Sequence, residues 1–88
     1  MKKLVEVVQV EGEGLDGLLD QPVLLLCANY FYTGKLIGVC ETYVKLENPS
    51  VVYETGAWTE KGYRDSQKLH VNEFYVQRAA IEAFGLSK

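Results

Sequence analysis

Residues Gln21–Leu46, QPVLLLCANYFYTGKLIGVCETYVKL, read as three strands joined by very short turns. Pro22 suits a strand start. Val23–Ala28 is a continuous apolar run, the pattern of a strand covered on both faces. Ala28–Asn29–Tyr30 is the turn, since Asn29 tolerates a left-handed backbone. Phe31–Cys40 is the second strand and holds Gly34 and Gly38. Glycine weakens a strand, so two of them predict sharp bending or close backbone approach. Glu41–Thr42–Tyr43 is a turn or bulge, and Tyr43–Glu47 begins the third strand. A meander this tight curves strongly, and a small barrel is the economical way to use it.

Outward from that stretch, Asn48–Pro49 bends the third strand and Ser50–Thr55 continues it. Gly56–Gln67 reads as a long loop, Lys68–Gln77 as a fourth strand, Arg78–Ala79 as a tight corner, Ala80–Phe84 as a fifth strand and Gly85–Lys88 as a tail. Upstream, Lys3–Glu11 is rich in β-branched residues and reads as an extra strand. Leu15–Asp20 reads as one helical turn, with Leu15, Leu18 and Leu19 on a buried face.

Gly12–Gly17, GEGLDG, has the glycine spacing of a dinucleotide-binding loop. The reading fails on context. Only Leu18–Gln21 separate Gly17 from Pro22, which leaves no room for the phosphate-binding helix. Glu13 and Asp16 would also repel a pyrophosphate. A turn is expected instead.

With 88 residues the chain is expected to be one domain, 1–88, with a strand extension at 1–13 and a core at 15–84. At 48% hydrophobic, it has enough apolar side chain for a core, and some of it is expected to cover a subunit interface. The net charge of −3 argues against extensive phosphate contact. Its distribution weakens that argument. Lys2 and Lys3 stand against Glu6, Glu11, Glu13, Asp16 and Asp20, which accounts for the whole imbalance and leaves the main body neutral. No apolar run approaches the ~18 residues of a membrane span. A cytoplasmic location with reduced thiols is expected. Cys27 and Cys40 are expected to be buried and, lying at opposite ends of the first hairpin, not to bridge.

No Ser-His-Asp or Cys-His arrangement, signature carboxylate pair or phosphate loop is present, so neither an enzyme nor a cofactor is expected. His70 has no second His and no Cys near it in sequence, which argues against a metal. Tyr43 and Arg78 are the leading ligand-facing candidates: a Tyr face stacks on a base, and Arg stacks or binds phosphate. Equally, Tyr43 can pack in an interface and Arg78 can pair with a neighbouring Glu. Gln77 can bond a base edge or satisfy backbone. Glu41, with Thr42 in the same turn, is expected to cap the turn or pair with Arg78. Lys45 is expected to face solvent. Trp58, Lys61, Tyr63 and Arg64 form an aromatic-basic cluster that either contacts a partner or folds back on the sheet.

The order of helical turn, glycine-bent second strand and corner before a short last strand resembles the Sm-like family, which includes Sm and LSm proteins and bacterial Hfq. It is also similar to small Sm-like proteins of phage and environmental origin. Val23, Leu25, Gly34, Leu36, Gly38, Val44 and Leu46 approximate the first family motif. Val76, Ile81 and Phe84 keep the spacing of the second. The resemblance implies a strongly bent, five-stranded antiparallel barrel. It also implies closed rings of about five to eight copies, the fourth strand of one pairing with the fifth of the next. Physics agrees, because cyclic pairing removes both open edges of a sheet.

The resemblance also implies single-stranded RNA binding at the pore, through Glu41, Thr42, Tyr43, Gln77 and Arg78. The usual Asp and Asn of the first turn are missing, and Gln77–Arg78–Ala79 replaces the Arg-Gly corner, so that binding is expected in diluted form. The alternative is a homo-oligomeric scaffold that contacts protein alone.

Overall fold

In the computed structural model, residues 10–88 are described. They are mostly β. Six strands run in the order β1 (Pro22–Cys27), β2 (Phe31–Val39), β3 (Tyr43–Glu54), β4 (Asp65–Lys68), β5 (Glu73–Gln77) and β6 (Ile81–Leu86). All pairings are antiparallel, in the order β4-β3-β2-β1-β6, with β5 also on β3. Positions 3–9 of the expected first strand lie outside the described residues. Val10 is exposed, and Glu11 and Gly12 form a turn.

β1 is central because its sequence leaves it no wet face. It pairs with β2 on one side and β6 on the other, and Val23, Leu24, Leu25 and Cys27 are all buried. Leu15, Val23, Leu25, Cys27, Leu36, Val44, Leu46 and Val76 form one buried cluster. Each fully buried Leu or Val contributes ~1.5–3 kcal/mol over its exposed state. The helical turn is a short 3-10 turn, Asp16–Leu18. Leu15 enters the core and Leu18 packs against it, but Leu19 is 42% exposed, against expectation. Three residues of 3-10 geometry are too few to hold all three leucines on one side. Within this 3-10 turn, a Cβ on Gly17 would overlap the Gly12 carbonyl of the preceding glycine-rich turn.

Gly34 plays the role its sequence position suggests. It is buried where β2 crosses β3, and a Cβ there would lie 3.0 Å from the Glu47 carbonyl oxygen and 3.2 Å from the Leu46 Cβ. The β2–β3 register shifts between Thr33 and Lys35 and again between Leu36 and Gly38, so each glycine sits at an irregularity.

The expected fourth strand, Lys68–Gln77, is two strands. The cause is the bend in β3. Asn48 has φ 51°, and Pro49 has no N–H to give the ladder. No single straight partner follows such a bend. β5 therefore pairs with Tyr43–Glu47, before it, and β4 with Ser50–Glu54, after it. The intervening residues match the bend: Asn48 N–H donates to the Asn72 carbonyl at 2.8 Å and Leu69 N–H to that of Pro49 at 2.9 Å. Because Asp65–Lys68 joins β3, the loop expected at Gly56–Gln67 shortens to 55–64. The corner is a 3-10 turn, Arg78–Ala80, and the last strand runs from Ile81 to Leu86 rather than from Ala80 to Phe84.

The hydrogen-bonded ladder is open, its margins being β4 and β5 at one end and β6 at the other. Side chains nonetheless join the two ends. Tyr63, just before β4, shares a 2.7 Å hydrogen bond with Ser87, just after β6. Three strands separate β4 from β6 in the ladder, so this contact requires the sheet to curl strongly. Cys27 and Cys40 are both free. Cys27 is buried, but Cys40 is exposed at the end of β2, against expectation, because the ladder stops at Val39 and the turn carries it outward. Among the described residues no helix is long and apolar enough to cross a membrane.

Candidate nucleic-acid interface

Alternation along β3 and β5 builds the surface. Val44 and Leu46 of β3 point into the core, as does Val76 of β5. Tyr43, Lys45 and Glu47 therefore lie on the opposite face of β3, and Glu73, Tyr75 and Gln77 on that of β5. The register makes three cross-strand pairs: Tyr43 with Gln77, Lys45 with Tyr75, and Glu47 with Glu73.

Aromatic and charged groups interlock on this face. The Tyr43 and Tyr75 rings meet edge to face, with centroids 5.2 Å apart and planes at 88°. Lys45 Nζ lies 5.6 Å from the Tyr75 centroid and 3.3 Å from Glu73 Oε1. The hydrogen bond to Glu73 holds the Lys45 ammonium above its ordinary range. Thr42, Tyr43, Tyr75 and Gln77 line a groove of about 260 Å³. Tyr75 and Gln77 also line an adjoining groove of about 350 Å³ that reaches Tyr30, Tyr32 and Phe74.

The two turns of the candidate site come together through Arg78. Its backbone N–H donates to the Thr42 carbonyl at 2.9 Å, and its Nη1 to the Cys40 carbonyl at 2.9 Å. The Glu41–Thr42 turn is closed by the Cys40 N–H donating to the Tyr43 carbonyl at 3.0 Å. Among the described residues the ion pairs are Lys45–Glu73, Arg64–Glu54 and Arg64–Glu60. Arg78 thus gives one guanidinium N–H to the main chain, and of the two expectations for Glu41, a turn cap or a pair with Arg78, the pair is absent among them. Glu41 is exposed and lines neither groove. Cys40 Sγ sits in the same turn, and the backbone N–H of Thr42 lowers its thiol below the usual value, with further help from Tyr43 and the Thr42 hydroxyl.

Of the residues singled out in the sequence, Thr42, Tyr43 and Gln77 share one groove, and Arg78 bonds the turn that carries Thr42. Tyr75 is the member that sequence reasoning missed. The alternation of Glu73–Gln77, with Phe74 and Val76 inward, was a signal for it. The aromatic-basic cluster does fold back. Arg64 is taken by Glu54 and Glu60, while Trp58 and Tyr63 lie against Lys88.

Comparison with protein-family models, curated proteins and solved structures gives no match for this chain.

Proposed function

We propose that this chain is an Sm-like subunit that closes into a homo-oligomeric ring and offers a weak single-stranded RNA contact at the pore through Tyr43, Gln77 and Arg78. Two open margins on one strongly curled sheet favour the ring. The β4–β5 margin of one copy would accept the β6 margin of the next, which removes both edges at once. The resemblance to the Sm-like family implies about five to eight copies in such a ring. The observation that carries the RNA reading is the pairing of Tyr43 with Gln77, beside Tyr75, in one groove. An aromatic face next to an amide and a cation suits a stacked base without strict sequence readout.

The experiment is light scattering on the purified protein, followed by oligo(U) and oligo(A) titration at low and moderate salt. A ring that binds more weakly as salt rises is the expected result. A lone ten-kilodalton particle would refute the ring. No binding at about 50 µM protein in low salt would refute the RNA contact.

A second reading, a ring that contacts only protein, draws on one specific observation. The Arg78 guanidinium already donates to the Cys40 carbonyl, which leaves it less free for phosphate. RNA recovered with the wild-type protein and lost with Arg78→Ala would count against this reading.

A further inference from the structure

The 55–64 loop converges on a single ammonium group. Lys88 Nζ donates to three main-chain carbonyls: Thr55 at 2.6 Å, Ala57 at 2.9 Å and Gly62 at 3.1 Å. An ammonium has three N–H donors, so the loop takes them all. Two rings complete the enclosure, with Nζ 5.4 Å from the Trp58 centroid and 5.1 Å from that of Tyr63. Tyr63 is further tied by its hydroxyl, which bonds the Ser87 hydroxyl at 2.7 Å and accepts the Lys88 backbone N–H at 3.3 Å. Trp58 is 61% exposed, so the core does not explain where its ring lies, whereas the cation does.

We propose that this loop is a receptor for a primary alkylammonium group, filled here by the chain's own Lys88. The chemistry sets the ligand class. Three carbonyl oxygens need three N–H donors radiating from one nitrogen. A quaternary ammonium has none to give, and a guanidinium presents its donors in a flat fork. Among the described residues no carboxylate pairs with this ammonium, so recognition runs through dipoles and ring faces, which salt screens less than an exposed ion pair. The filled site ties the tail that follows β6 to the loop that leads into β4. An outside primary amine would compete with Lys88 for the same tripod.

The test uses the full chain with Lys88→Ala, which removes the equivalent of n-propylammonium. Tryptic cleavage at Lys61 and Arg64 reports the opening of the loop, and the resonances of Trp58, the only tryptophan, report the cage. The variant is expected to be cut about tenfold faster. Added n-propylammonium should restore the wild-type Trp58 resonances, half-maximally at about 1–100 mM. Tetramethylammonium at the same ionic strength should restore none. Unchanged cleavage and unchanged Trp58 resonances in the variant would overturn the proposal, and so would equal rescue by both cations. If the variant fails to fold, the wild-type protein decides. The ε-methylene protons of Lys88 should be shifted upfield by the two rings, and resonances coincident with those of the other lysines would overturn the assignment.

Discussion

Arg78 Nη1 donates to the carbonyl oxygen of Cys40 at 2.9 Å, so the corner after β5 is braced against the point where β2 ends. The Arg78 N–H, on the Thr42 carbonyl at 2.9 Å, doubles the link. Arg78→Ala keeps the backbone bond and loses the side-chain one. A hydrogen bond of this kind contributes about 1 kcal/mol. The variant should therefore melt about 4–8 °C below the wild type. An unchanged Tm would mean that the brace carries no stability.

Tyr43 and Tyr75 meet at 5.2 Å on the groove wall. If a base stacks there, Tyr43→Ala and Tyr75→Ala should each weaken oligonucleotide binding about tenfold, within the range of ~1–3 kcal/mol per stacked base. Because the rings touch, the double variant should lose less than the product of the two. Tyr75→Phe should bind nearly as well as the wild type. Titration by fluorescence anisotropy reads all four proteins, and full retention of binding in Tyr75→Ala would remove that ring from the site.

Gly34→Ala places a methyl 3.0 Å from the Glu47 carbonyl and 3.2 Å from the Leu46 Cβ. Neither neighbour can yield without opening the β2–β3 ladder. Overpacking of this kind costs ~1–3 kcal/mol. Gly62→Ala meets nothing within 4 Å and serves as the control. Urea unfolding should separate the two variants, and equal midpoints would contradict the close approach at Gly34.

The two thiols should respond oppositely to pH. Cys40 is exposed, and the Thr42 N–H lowers its pKa below the ordinary 9.0, so iodoacetamide should modify it first, at a rate that levels off below pH 9. Cys27 is raised above 9.0, first by burial and then by the Glu82 charge. Its folded state holds the proton more tightly than the unfolded chain does. Its contribution to stability is thus complete below pH 9.0 and declines as pH rises through the higher folded value. Cys27→Val should flatten the alkaline limb of the stability profile. Mass spectrometry of labelled peptides that finds Cys27 modified first in native protein would reverse this assignment.

Local sequence carried the first half of the sheet. The apolar run Val23–Cys27 has no polar side to turn outward, so it became a strand flanked on both edges, and Gly34 marked the crossing of β2 on β3. The turns at Ala28–Asn29 and Glu41–Thr42 and the corner at Arg78 were also legible, since turn chemistry acts over a few residues. Tyr43, Gln77 and Arg78 could be named as candidates on residue type alone, but not with their partners.

Partners depend on how the sheet curls, and no short window of sequence encodes that. The bend at Asn48–Pro49 was visible, yet only the folded β3 shows that it splits the opposing strand into β4 and β5. Tyr75 became part of the groove because the β3–β5 register puts it across from Lys45 and against Tyr43. Arg78 took the Cys40 carbonyl rather than Glu41, and Lys88 found its three carbonyls 26 to 33 positions away. Periodicity and turn residues determine which segments extend and where they reverse. The summed twist of the strands, acting over the whole domain, determines which side chains then meet.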